Sequence, residues 1–273
     1  MTETRQVPPA NEPATQPPAR RDWSGSGLAL AGTAAMIAIW QAAMFVSDSK
    51  VFPSPLAVAR GIGELARTGR LVMYVTDSLM RVGIGFSLAL LTGLPLGLAM
   101  GWFPRLGSAV NPVMQILRPI SPLAWIPLAV VVFGISNAAP IALIFIASFC
   151  AIVESSMNGV RMVSQVYVLA AQNFGLSRAA VFRRVVFPAA LPQILNGLRI
   201  ALGLSWVVVV AAEMVAVDSG LGYLIIDSRN AGKRYDLVVG GMVLIGAIGL
   251  LLDTLVLRIE RLPAVRWGVD ART

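Results

Sequence analysis

Three carboxylates and a group of arginines are the residues in this sequence with a capacity for chemistry. Glu213 stands inside an apolar run, Glu154 and Asp253 stand near the ends of two others, and Arg178, Arg183 and Arg184 crowd into a short polar stretch. The chain has no histidine and one cysteine. Histidine metal sites, Ser-His-Asp triads and imidazole acid–base chemistry are therefore absent, and so is a disulfide framework. Cys150, inside an apolar run, reads as a buried inert thiol. Gly232-Lys233 lacks the earlier glycine and the following Ser or Thr of a phosphate-cradling G-x-x-x-x-G-K-[ST] loop, so no nucleotide site is expected and the polypeptide reads as non-catalytic. An ionisable group inside a membrane-length segment is a functional candidate. For Glu213 two roles compete, a carboxylate paired between helices or a gate in a pathway, and the first is preferred. Glu154 is expected to cap its helix or pair with Arg161, and Asp253 to lie at an interface.

The elements that hold these residues follow from composition. Of the 273 residues 56% are hydrophobic and 13% charged, whereas an average soluble domain is about 25% charged. The chain reads as an all-α membrane protein, since open sheet edges are not tolerated in lipid. Runs near 28–46, 82–103, 110–134, 139–157, 195–217 and 237–257 make about six spans of the required length of about 20 residues. Residues 1–22, with Pro8, Pro9, Pro13, Pro17 and Pro18, read as a disordered tail, and residues 23–273 as the membrane domain. Arg20-Arg21 resembles a twin-arginine signal, but the run behind it is long enough to span and reads as a retained helix.

The net charge of +8 is that of Lys and Arg concentrated on one face of a membrane rather than of a nucleic-acid binder. With the N-terminus inside, the more basic side holds Arg105, Arg118, Arg161, Arg178, Arg183 and Arg184, which puts both termini in the cytoplasm. The other side receives Lys50, Arg60, Arg67, Arg70, Arg81, Arg229, Lys233 and Arg234. The last three suit an anion, a negatively charged partner, or neither. Pro53 to Val58 suggests a short interfacial helix on that side. Gly93, Gly97 and Gly101, four apart, line one helix face for close packing within the bundle or against a second copy. Pro112, Pro119, Pro122 and Pro127 bend or break the third span. Ser121 and Trp125 there, with Ser205 and Glu213 on the fifth span, are candidate pathway residues; a kinked packing helix is the other reading for the third span.

Residues 162–192 stand out. Gln165 to Phe174 reads as a short helix ended by a left-handed Gly175. Ser177 caps a second helix from Arg178, on which Phe182, Val185 and Val186 share a face, and Pro188 is expected to stop it. Two capped helices with an apolar stripe form a knob that docks on a partner or lies flat on lipid headgroups.

The order Ala170-Ala171, Gly175, Pro188, Leu191-Pro192 resembles the EAA signature of ABC-importer permeases, with "VVFPAALP" (Val185 to Pro192) especially close. Ser78 to Gly101, Leu117 to Asn137, and Leu202 to Val215 followed by "SGLGYLI" (Ser219 to Ile225) are similar to the nitrate/sulfonate/taurine branch. The resemblance implies a type I importer permease fold. It also implies a second permease copy, two ATPase subunits that bind ATP and magnesium, and an extracytoplasmic solute-binding protein, all at the bacterial inner membrane. Ala170, Ala171, Gly175, Ser177, Arg178, Phe182, Arg183, Phe187, Pro188, Leu191 and Pro192 then become the ATPase-coupling residues. The family's glutamate is Leu169 here, so any docking contact differs at that point. A permease for another small nutrient, such as a pyrimidine precursor, would share these motifs. A secondary transporter would need intramembrane ion sites, for which only Glu213 qualifies.

Overall fold

The structure, a computed structural model, describes residues 23–47 and 52–260. The proline-rich tail, Lys50 and Trp267 lie outside the described residues. The chain divides into two units, 1–48 and 49–273. The first contributes helix α1 (Trp23–Ser47), whose apolar stretch Ala31–Met44 is shorter than a full span.

The second unit is helical throughout its described residues. Helix α2 (Pro55–Arg67) begins at Ser54, whose hydroxyl accepts from the Ala57 amide at 3.3 Å, with Pro55 in the first turn where its missing N–H costs nothing. One face of α2, Val58, Gly61 and Leu65, is buried, and it packs on later helices rather than standing apart. Helix α3 (Arg70–Trp102) is 33 residues long, some 50 Å at 1.5 Å per residue. That exceeds a bilayer core of about 30 Å. The span expected from Val82 therefore starts three turns earlier and takes Arg70 and Arg81 out of the loop where charge counting put them.

The expected third span is broken. Helix α4 (Pro104–Leu117) gives way to a short 3₁₀ turn at Pro122–Trp125 and helix α5 (Ile126–Phe133), the two halves meeting at 79°. Pro119 and Pro122 remove two donors in succession, so the α-helical ladder cannot cross that point. The chain turns at Gly134, φ +68°, and helix α6 (Ala138–Arg161) follows, close to the expected break at Ser136-Asn137. After the knob come helix α9 (Phe187–Ala216), α10 (Leu221–Ala231) and α11 (Tyr235–Glu260).

Helix α6 is the axis, with α3 on one side and α9 on the other. Gly85, Gly93, Gly97 and Gly101 of α3 all face α6. A Cβ at Gly97 would come 2.5 Å from the Val153 carbonyl, and one at Gly101 2.6 Å from Val160. The glycine stripe is thus used within the chain, which lets two backbones approach closely. Helix α11 leans on α9, α10 and α2. Asp253 is not simply interfacial: Arg199 of α9 donates to it through Nε at 2.6 Å and Nη2 at 2.9 Å. Arg234 joins Asp236 and Glu64 at 2.8 Å each, so it is not a free cation for an anion, and its guanidinium holds the Glu64 carboxyl below the usual carboxylate range.

Among the described residues four helices are long and apolar enough to cross a membrane, five if the bent pair counts as one. About six were expected from apolar length alone.

Candidate functional site

The knob is built from local rules. Ser164 accepts from the Val166 amide at 3.4 Å and opens α7 (Gln165–Asn173). The Gly175 amide donates to Gln172 O at 2.9 Å and the Leu176 amide to Ala171 O at 3.2 Å. These two bonds form a Schellman stop, with Gly175 at φ +80° and Leu176 packed against the buried cluster that holds Ala171. Ser177 then accepts from the Ala180 amide at 3.4 Å and starts α8 (Arg178–Val181).

Pro188 does not stop this helix. The backbone widens into a π turn over Phe182–Val186, closed by the Phe187 amide on Phe182 O, and continues as α9. The physical reason is that Pro188 has no N–H and its ring would press on the carbonyl of Arg184. A wider turn relieves both without ending the helix. Pro192 likewise lies inside α9. From Arg178 to Ala216 the chain is one 39-residue rod, nearly 60 Å long.

The apolar stripe faces inward. Val181, Val186 and Ala190 are buried, with Phe182 and Val185 packed against them. Trp102 packs its ring against Phe182, the centroids 5.2 Å apart and the planes tilted by 59°. What the knob leaves exposed is a different surface: Met162 (72%), Val166 (70%), Leu169 (55%) and Phe174 (85%). Arg178, Arg183 and Arg184 are exposed beside it, as is Ala170, while Ala171, Phe187, Leu191 and Pro192 are turned partly or wholly into the chain.

At the other end of the rod lies a buried ionic cluster. Arg81 and Glu213 pair at 2.6 Å, with side chains 1% and 0% exposed. Arg81 also donates to Asn137 Oδ1 at 2.9 Å, Ser219 O at 2.8 Å and Ser219 Oγ at 2.6 Å. The second Glu213 oxygen accepts from Ser78 Oγ at 2.9 Å and from the Gly222 amide at 3.0 Å. Ser78 Oγ in turn accepts from the Leu221 amide at 3.0 Å. The first free amides of α10 are thereby satisfied, and the positive end of that helix faces the carboxylate. Gly220, φ +104°, has to be glycine: a Cβ there would overlap the Glu213 carboxylate. The segment "SGLG" is therefore a clasp that joins α10 to α3 and α9. Ser78 and Arg81, three apart on one face of α3, and Ser219 and Asn137 escaped sequence reasoning. The signal was there in Glu213, which needed a cation, and in Ser78 and Arg81 at helical spacing.

Of the expected pathway residues, Glu213 is closed inside this clasp. Ser205 is also buried, its hydroxyl 2.6 Å from Ser148 Oγ. Ser121 is exposed at the break, where its hydroxyl accepts from the Leu123 amide at 3.3 Å. Trp125 is half-buried against the core. Glu154 pairs with Arg118 at 2.7 Å rather than with Arg161, because the α4 terminus brings Arg118 alongside α6. Cys150 is half-buried and lines a cavity, so it is not sealed in the core.

The chain belongs to the binding-protein-dependent transport system inner membrane component family, whose model matches residues 93–264. It is an ABC transporter permease. A taurine transport system permease protein of Escherichia coli is 41% identical over 182 residues, 66% of this chain and 65% of that one. A bicarbonate transport system permease protein of Synechococcus elongatus is 36% identical over 259 residues, 89% and 91% of the two chains. Inward-facing structures of the MetNI methionine ABC transporter share the fold, with a TM-score of 0.62 at 21% identity over 70% of this chain and 94% of that one.

Proposed function

We propose that this chain forms one half of the translocation pathway of an importer for small oxyanions and that residues 162–192 couple it to a motor subunit. Two copies of the chain face each other across the pathway. Two ATPase subunits, holding ATP and its magnesium ion, seat the knobs, and a solute-binding protein delivers substrate from the far side. Both termini are cytoplasmic, in a bacterial inner membrane.

The observation that carries this reading is the exposed crest of Met162, Val166, Leu169 and Phe174, joined through the Gly175 turn to an unbroken rod. An apolar surface flanked by Arg178 and Arg183 fits a cleft in a protein partner. Leu169, where the family motif has glutamate, makes that contact one of packing rather than charge. An ATPase that binds the crest more tightly in one nucleotide state than the other moves the rod. Equal affinity in both states would move nothing. The substrate class rests on the relatives, one named for taurine and one for bicarbonate. A sulfonate and a bicarbonate present oxygen faces of the same kind to an arginine fork.

The test is assembly. The wild-type chain is expected to co-purify with an ABC ATPase, and Gly175→Val to insert normally but lose that subunit. A Cβ at residue 175 meets no atom within 4 Å, so the penalty falls on the backbone alone, where a β-branched residue at positive φ is a severe outlier. Gly175→Asn, which tolerates that region, should restore the complex. Normal assembly of the valine variant would remove the coupling role.

A further inference from the structure

The break between α4 and α5 leaves polar backbone and a charged side chain part-way along a span. Arg118 caps α4, one helix length or about 20 Å from the turn at Phe103, and its side chain is 69% exposed. Irregular backbone at membrane depth is tolerated only against protein or water, and a charge facing lipid there costs about 3 kcal/mol even on the most lenient scale. A face of this kind is far better matched to protein or water than to lipid.

Between α4 and α6, on the knob side of the break, is a cavity of about 290 Å³. Asn111, Gln115 and Arg118 of α4 line it at helical spacing, and so do Cys150, Glu154 and Arg161 of α6. Glu154 holds Arg118 by one nitrogen at 2.7 Å, which leaves the rest of that guanidinium's donors free. Arg161 has no carboxylate partner among the described residues and lies across Gly107, where a Cβ would come 2.5 Å from its Nη2. The lining carries two guanidinium charges against one carboxylate, with the side-chain amides of Asn111, Gln115 and Asn158 beside them. Its volume sits at the small end of ligand pockets, which run from about 300 Å³ upward.

We infer that this cavity binds the oxyanion group of a small solute, with Arg161 and Arg118 as donors and Glu154 positioning Arg118. The site rests on the pathway reading above and gives it a binding residue set on the exit half. It also gives a role to two arginines that end different helices, Arg118 at the close of α4 and Arg161 at the close of α6, and that line one cavity.

Cys150, the single cysteine of the chain, reports on the cavity without any mutation. In the purified permease–ATPase complex, labelling of Cys150 is followed by mass spectrometry. One methanethiosulfonate reagent carries a sulfonate and the other a trimethylammonium group, each rate being normalised to a free thiol. The anionic reagent is expected to react about tenfold faster, as one net positive charge nearby dictates. Sodium nitrate or ethanesulfonate should slow it where sodium chloride does not. Arg161→Gln should erase the preference and raise the uptake KM for the solute, and Arg161→Lys should keep most of the preference. No labelling, equal rates, faster cationic labelling, or no protection by either oxyanion would overturn the site. Uptake by the reconstituted complex separates the two proposals: ATP-driven uptake without these labelling effects removes the site and leaves the permease function. No ATP-driven uptake of any oxyanion removes the substrate class itself.

Discussion

Arg81 and Glu213 show how a charge pair lives inside this protein. Each is wholly removed from solvent, and each is hydrogen-bonded beyond the pair by Ser78, Asn137, Ser219 and the α10 amides. A buried pair of this kind is costly to break and much less costly to replace, since removing one partner strands the other charge. Glu213→Gln and Arg81→Met should each destabilise the detergent-solubilised protein by about 3–5 kcal/mol, read as a lowered thermal unfolding midpoint. The double variant Arg81→Met/Glu213→Leu should recover part of that loss. A double variant no better than the sum of the singles would mean that the two groups act independently. The carboxylate is locked away from any open surface, so its first effect is on the packing of α3, α9 and α10.

Among the elements, the rod from Arg178 to Ala216 decides what the knob can do. Pro188 was expected to stop the second knob helix. Instead, the π turn at Phe182–Val186 absorbs Pro188 and the helix runs through to the clasp. A displacement at Phe174 would pass through the tight turn at Gly175 and from Arg178 onward would reach Glu213 along one helix. Pro188→Ala should allow the π turn to close to ordinary α geometry and swing the knob about the rod. The ATPase would still bind, but the number of solute molecules moved per ATP would fall severalfold, measured by uptake and phosphate release in the same proteoliposomes. An unchanged ratio would show that the π turn serves packing alone. Arg199 and Asp253, clamped by two hydrogen bonds, hold the same rod to α11 part-way along.

For the whole molecule, the missing surface is the one around α4 and α5. Val131 of α5 is 82% exposed and Val132 62%, and Arg118 at the end of α4 is exposed as well. The glycine stripe, the other candidate for contact with a second copy, is already filled by α6. A homodimer pathway therefore points to the α4–α5 face. In a Cys150→Ser background, Val131→Cys is expected to cross-link between two copies with a short bifunctional thiol reagent. Val72→Cys on α3, also exposed at 64%, is expected to stay monomeric. The reverse result would place the dimer seam elsewhere.

Much of this was legible in the chain itself. Gly175, Ser177 and Ser164 shape the knob through backbone rules that need only a few neighbouring residues, and the helices of the bundle follow from apolar length. Local chemistry of that kind is written in order along the sequence. The expectations that failed depend on partners far away in sequence. Whether Pro188 stops or bends a helix depends on the packing of Val181, Val186 and Ala190 behind it. Arg81 looked like a loop charge because its counter-ion lies 132 residues further along, and Glu154 found Arg118 because the third span breaks. A buried charge is tolerable only when a counter-charge and hydrogen-bond donors converge on it in space, and that convergence exists only once the helices are packed.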